Sequence, residues 1–140
     1  SNYIPWKGYF DMIAAVDEFI LYDDVQFTKN DWRNRNKIKT PQGLQWLTVP
    51  VGQDIRRLVR DVQPEPGWQA RHWKTLTANY RRAPCFDDVA SWLEPLYLDA
   101  TPENLSQLNR RFIESICRYL GISTRLSNSW DFELRGGRTE

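Results

Sequence analysis

Histidine, methionine and cysteine are scarce in this sequence, with one, one and two residues among 140. A single histidine, His72, excludes a multi-histidine metal site. The two cysteines, Cys85 and Cys117, stand too far apart for a metal cluster or a disulfide framework. They fit a reducing compartment, and the chain reads as cytoplasmic. Long apolar runs are also lacking, and none approaches the roughly 20 residues a membrane helix needs. Ser1-Asn2-Tyr3 leads straight into Ile4-Pro5-Trp6 with no signal-peptide pattern. A formal net charge of +1 removes bulk charge as an argument for nucleic acid. The expected partner is therefore a small activated metabolite, not a membrane or a nucleic acid.

Aromatic residues are plentiful, at 14% with seven tryptophans, which is more than a core alone requires. The chain has the length of one domain, and residues 1–140 read as a single unit. Without an initial Met, and ending at Gly136-Gly137-Arg138-Thr139-Glu140 as if a helix were about to begin, it reads as a fragment of a longer protein.

Periodicity sets out the elements. Residues 5–15 form a loop feeding a short helix, with Phe10, Ile13 and Ala14 on one face. Residues 18–22 form a strand that ends at Asp23-Asp24. Arg33–Lys39 and Leu44–Val51 form a hairpin across Thr40-Pro41-Gln42-Gly43. Residues 58–62 suggest one more short strand. Residues 68–82 are helical, with Trp73, Leu76 and Tyr80 on one face. A second helix, 86–98, should be kinked or split by Pro95. Thr101-Pro102-Glu103 starts another, with Thr101 as N-cap and Pro102 in the first turn. Its apolar stripe is Leu105, Leu108, Phe112, Ile113, Ile116 and Leu120, and Gly121 closes it. Residues 124–127 return as a strand. The fold class is α/β, a small sheet layer with a β-hairpin and a mainly helical C-terminal half.

Three stretches could carry chemistry. In Arg33-Asn34-Arg35-Asn36-Lys37-Ile38-Lys39, strand alternation puts Arg33, Arg35, Lys37 and Lys39 on one face. Four cations in a row repel unless something anionic lies across them, and the Arg fork matches phosphate or carboxylate oxygens. A solvated edge strand is the competing reading. Asp23-Asp24 lies at the carboxyl end of a strand, where open α/β sheets bind ligands. One carboxylate could act as a general base. Adjacent carboxylates on an extended chain point to opposite faces and do not chelate one ion, so no metal site is expected. If neither is catalytic, one acid pairs with a base such as Lys29 or Arg33. The third stretch, Tyr3–Phe10, places Lys7 and a Gly at a helix N-terminus, where anions are attracted.

His72 is the one side chain that titrates near neutral pH unaided, and so is the acid/base candidate. A packing histidine is the alternative. Cys85 precedes a helix, where thiol acidity rises, but no base is adjacent in sequence. Cys117 lies beside the apolar stripe and reads as core.

Asn2–Phe10, Val16–Phe27 and Trp32-Arg33-Asn34-Arg35-Asn36 together resemble the WbqC-like family of bacterial proteins. Trp46–Val51, His72-Trp73, Asn79-Tyr80, Ala83-Pro84 and Gly137-Arg138-Thr139-Glu140 extend the resemblance over essentially the whole chain. The family pattern begins with a short strand ending in Gln-Pro and continues past Glu140, and both parts are missing here. The resemblance implies a role in biosynthesis of lipopolysaccharide O-antigen and related surface glycans. It implies a transferase that adds an acyl or aminoacyl group to an amino sugar or nucleotide-linked sugar. It names no cofactor. The family positions are Lys7, Asp23, Asp24, Gln26, Arg33, Asn34, Arg35, His72 and Asn79.

On this reading His72, Asp23 and Asp24 are the catalytic candidates. Lys7, Gln26, Lys29, Arg33, Asn34, Arg35 and Asn79 are the substrate-binding ones. Two other readings remain open. One is a nucleotidyltransferase-type enzyme. The other is a noncatalytic module whose tryptophans stack on sugars or single-stranded bases.

Overall fold

The computed structural model describes residues 1–99 and 103–133. Helix α1 (Lys7–Ala14) leads into strand β1 (Glu18–Leu21). Strands β2 (Arg35–Thr40) and β3 (Gly43–Thr48) form the hairpin, followed by a 3₁₀ turn at Val59–Asp61. Helices α2 (Gln69–Tyr80), α3 (Phe86–Leu98) and α4 (Leu105–Tyr119) then run to strand β4 (Arg125–Asn128) and a 3₁₀ turn at Ser129–Asp131. The described residues form two small sheets. β2 and β3 pair antiparallel, from Arg35 opposite Thr48 to Thr40 opposite Gly43. β1 and β4 pair parallel, from Glu18 opposite Arg125 to Leu21 opposite Asn128. The fold is a small α/β one with a helical C-terminal half.

Helix α4 joins the two halves because its apolar stripe is wide enough to serve two cores. Leu105, Leu108 and Phe112 pack with the hairpin residues Ile38 and Leu47 and with Tyr3, Trp68 and Tyr97. Ile113 and Cys117 pack instead with Phe10, Ile13 and Leu21, from α1 and β1. Of the stripe, Ile116 is half-buried and Leu120 is exposed, since the last turn runs past the core. Ala14, expected on the buried face of α1, is likewise exposed. Gly121 takes a φ of +70°, which costs an L side chain and suits glycine at a helix end.

Three local expectations change. Residues 58–62 do not form a strand. Leu58 makes one antiparallel bridge to Gln26, and the chain then turns, with the Asp61 N–H donating to the Leu58 carbonyl at 3.0 Å. In a strand, residues three apart face opposite ways, whereas a 3₁₀ turn aligns them. The turn lets Val59 and Val62 both reach the core, each fully buried. Pro95 does not split α3, which runs unbroken from Phe86 to Leu98. It sits near the helix end, where only one ladder bond is lost, and buried Tyr97 anchors the final turn.

The expected caps Thr101 and Pro102 lie outside the described residues, and the helix itself begins later. Asn104 is the N-cap, its side chain accepting from the Gln107 N–H at 2.9 Å while the Gln107 side chain accepts from the Asn104 N–H at 3.0 Å. This reciprocal box satisfies two free donors of the first turn. Asn104→Ala is expected to cost about 1 kcal/mol, read as a lower urea midpoint with an unchanged denaturant slope.

Candidate functional site

The pair Asp23-Asp24 follows β1 after Tyr22, and the two carboxylates do diverge. Asp23 is fully buried. It accepts from the Ser1 backbone nitrogen, from the Ser1 hydroxyl at 2.7 Å and from the Ser106 hydroxyl at 2.5 Å. The Arg33 guanidinium stands 3.9 Å away. Asp24 accepts from the Ser129 hydroxyl at 2.5 Å and pairs with Arg60 at 2.5 Å. Each carboxylate therefore ties β1 to distant segments, and its lone pairs serve those ties. The expected base role meets an obstacle at Asp23, which has no exposed surface from which to take a substrate proton.

His72 is also enclosed, at 3% exposure. Its Nε2 lies 2.9 Å from the Thr48 carbonyl, and its Nδ1 lies 3.1 Å from the Tyr3 hydroxyl. A carbonyl can only accept, so Nε2 carries the hydrogen. Nδ1 then accepts from Tyr3, and Tyr97 donates to the Tyr3 oxygen at 2.5 Å. Burial lowers the imidazole pKa to about 4, opposed by the Thr48 hydrogen bond and aided by the Arg71 charge. Burial likewise raises the Tyr3 phenol well above its ordinary value. His72 is thus a neutral packing histidine in a ring of aromatics, with centroids 4.8 Å from Trp68 and 6.0 Å from Tyr3. Both nitrogens are occupied by the protein, which takes it out of the acid/base role. Its sequence neighbours gave no sign of this, because Thr48, Tyr3 and Tyr97 come from three other segments.

The Arg-Asn run is divided by the fold. β2 starts at Arg35, not Arg33, so the alternating face holds Arg35, Lys37 and Lys39 only. Arg33 instead donates to the Ser1 carbonyl at 3.2 Å beside Asp23. Arg35 and Lys37 lie 4.0 and 4.8 Å from the centre of the Trp46 ring. The negative π face of Trp46 offsets the repulsion between them.

A cleft of about 180 Å³ opens beside this strand, lined among others by Lys29, Asn34, Arg35, Thr48, Gly52 and Gln53. It unites three of the expected binding residues: Lys29, Asn34 and Arg35. No acid lines it. Each cation is held in place. Arg35 donates to the Asn30 side chain at 3.1 Å and to the Asn30 carbonyl at 2.5 Å. Asn30 adopts a left-handed φ of 59°, which asparagine tolerates, and this turns its carbonyl to the guanidinium. Lys29 donates to Gln53 at 2.7 Å. Asn34 donates to the Val49 carbonyl at 2.8 Å, fixing the strand beneath. Among the described residues the Arg35 Nε is buried without a protein partner. Two fixed cations, an amide and spare N–H groups suit an anion with several oxygens.

The other expected residues lie outside this cleft. Lys7 is exposed and pairs with Asp11 one turn along α1. Gln26 donates to the Ile55 carbonyl at 3.1 Å. Asn79 donates back to the Thr75 carbonyl at 2.8 Å within α2. Cys85 is a free, exposed thiol at the rim of an apolar hollow between α2 and α3, beside Trp73 and Phe86. Cys117 is core. Among the described residues no three His, Cys, Asp or Glu side chains gather as a metal centre, and no helix is long and apolar enough to cross a membrane. Sequence reading missed Gln53, Asn30, Ser106 and Arg60, polar residues that carry no motif signal of their own.

Comparison with known proteins agrees with the motif strings. The chain is 57% identical over 143 residues to the uncharacterized protein Rv1507c of Mycobacterium tuberculosis. That alignment covers 100% of this chain and 62% of the relative, so the chain spans less than two thirds of the curated protein it matches. No solved structure matches it. The model of the WbqC-like protein family matches residues 1–140, and the chain therefore belongs to that family.

Proposed function

We propose that this chain is the substrate-holding part of a bacterial transferase. The transferase adds an acyl or aminoacyl group to an amino sugar that carries a phosphate or a nucleoside diphosphate. The pathway is synthesis of surface polysaccharide such as O-antigen. The single observation that carries the reading is the acid-free cleft of Lys29, Asn34 and Arg35. Family membership supports the glycan context. The Arg35 fork and the Lys29 ammonium neutralise the phosphate oxygens, and the amino group of the sugar then attacks the activated acyl carbon. The new amide N–C bond forms as the bond from that carbon to the donor's leaving group breaks, and the amine proton departs with the leaving group or to solvent. That attack needs no enzyme nucleophile, so the reading asks nothing of the exposed Cys85 thiol.

The test uses the full-length protein and a panel of nucleotide amino sugars and acyl donors, with products read by mass. Binding of the sugar nucleotide is measured by calorimetry at two salt concentrations. Arg35→Ala is expected to weaken binding about tenfold, or ~1.4 kcal/mol, and to flatten the salt dependence. Equal affinity in Arg35→Ala, Lys29→Ala and the parent protein would show that the cleft is not the binding site.

A further inference from the structure

Residues 3–8 carry three unfavourable local features that converge on one side chain. Ile4 holds a φ of 41°, a region where a β-branched residue is strained. It is kept there by the Asn36 amide, which donates to the Ile4 carbonyl at 2.5 Å, and by the Tyr3 N–H, which donates to the Trp32 carbonyl at 3.0 Å. The twist turns the chain outward: Tyr3 on one side is buried, and Trp6 on the other is 69% exposed. Gly8 then occupies the first turn of α1, where alanine would form helix more readily. A Cβ there would stand 2.1 Å from the Trp6 ring, so only glycine lets the indole lie where it does. Strain, a weak helix former and a displayed tryptophan are each tolerated separately, and together they hold one indole in one place.

That place is the wall of a second cleft, of about 240 Å³, lined by Asn2, Pro5, Trp6, Trp32 and Asn36. Trp32 is itself half-exposed and is backed by Trp46 at a centroid distance of 5.4 Å. Among the described residues the Asn2 side chain makes no hydrogen bond within the protein, leaving an amide free to meet a ligand edge. The stretch Trp32–Asn36 lines both clefts, giving Asn34 and Arg35 to the cationic one and Trp32 and Asn36 to this one. Exposed aromatic faces with an amide beside them stack on a flat ring and hydrogen-bond its rim.

We infer that the Trp6–Trp32 cleft binds the nucleobase of a nucleotide whose phosphates lie on Lys29 and Arg35. This inference rests on the proposed function for the phosphate half, while the base subsite can be tested alone. The four nucleoside 5′-diphosphates, inorganic pyrophosphate and the four uncharged nucleosides are titrated into the full-length protein. The variants are Trp6→Ala, which removes an exposed ring, and Gly8→Ala, which pushes that ring aside.

Trp6→Ala is expected to weaken the preferred nucleoside diphosphate about tenfold and leave pyrophosphate unchanged. Gly8→Ala should do the same. An uncharged nucleoside should shift the one indole N–H resonance that Trp6→Ala deletes. Such a shift, with no binding of any phosphate compound, supports the base subsite and rejects the proposed function. Sugar-nucleotide binding that depends on Arg35 but is identical in the parent protein and Trp6→Ala overturns the base subsite and leaves that function standing. No nucleoside shift together with no Trp6 dependence overturns it outright.

Discussion

Asp23→Ala is expected to cost about 3–5 kcal/mol of stability, enough to unfold much of the protein at ordinary temperature. The carboxylate is fully buried and accepts from Ser1 and Ser106, with Arg33 at 3.9 Å. Removing it leaves those donors and a guanidinium facing a void with no acceptor. The penalty is the desolvation of groups left unpaired, which exceeds the net worth of the bonds themselves. The damage would spread, because Asn109 also donates to the Ser1 hydroxyl at 3.1 Å and to the Arg33 carbonyl at 2.9 Å. Equilibrium urea unfolding measures the loss. Asp23→Asn keeps the volume but turns an acceptor into a partial donor, and should fall only slightly short of the alanine variant. A loss under about 1 kcal/mol for both would mean that the carboxylate is free for another task, and the base role would return.

The second large effect is acid sensitivity centred on His72. Its pKa falls from 6.5 to about 4 on folding, through burial first. A depressed histidine pKa means that the unfolded chain binds the proton more tightly. The stability held by the neutral ring is therefore full above pH 6.5 and is lost as pH falls from 6.5 toward 4. The gap is worth about 3 kcal/mol at ~1.4 kcal/mol per pH unit. Protonation puts a hydrogen on Nδ1 that must oppose the Tyr3 hydroxyl, and the Tyr97–Tyr3–His72 chain has to reverse. His72→Gln should be less stable than the parent protein at pH 7.5, since Thr48 and Tyr3 lose well-placed partners. Its stability should nevertheless change far less between pH 7 and 4.5. If the variant keeps the same acid slope as the parent protein, the titrating group lies elsewhere.

Both effects describe residues that sequence reading placed in catalysis and the fold uses as ties. A histidine that is alone in its chain, or a carboxylate pair after a strand, looks reactive because nothing nearby in sequence satisfies it. Asp23 finds Ser106 on α4, and His72 finds Thr48 on β3 and Tyr3 before α1. Those partners are 83, 24 and 69 residues away, and no local pattern reports a contact at that range.

What was legible locally came through. The 3.6-residue spacing marked α2 and α4, alternation with Pro41 and Gly43 marked the hairpin, and the apolar run 18–22 marked β1. These signals survive because backbone hydrogen bonds and a single buried face act over a few residues. The Arg-Asn run reads as chemistry from residue type and strand alternation, and of the seven expected binding residues Lys29, Asn34 and Arg35 line one cleft.

The sequence by itself indicated the helices, the hairpin and the family, and it named Lys29, Asn34 and Arg35 among seven separate candidates for binding substrate. Only the tertiary structure decided that β1 pairs parallel with β4, that Arg33 leaves its neighbours for Asp23, and that His72 is sealed inside. The reason is physical. Helix and turn formation depend on residues within one or two turns of each other. Burial and the pairing of charges depend on which distant segments the core draws together, and that is settled by packing over the whole chain.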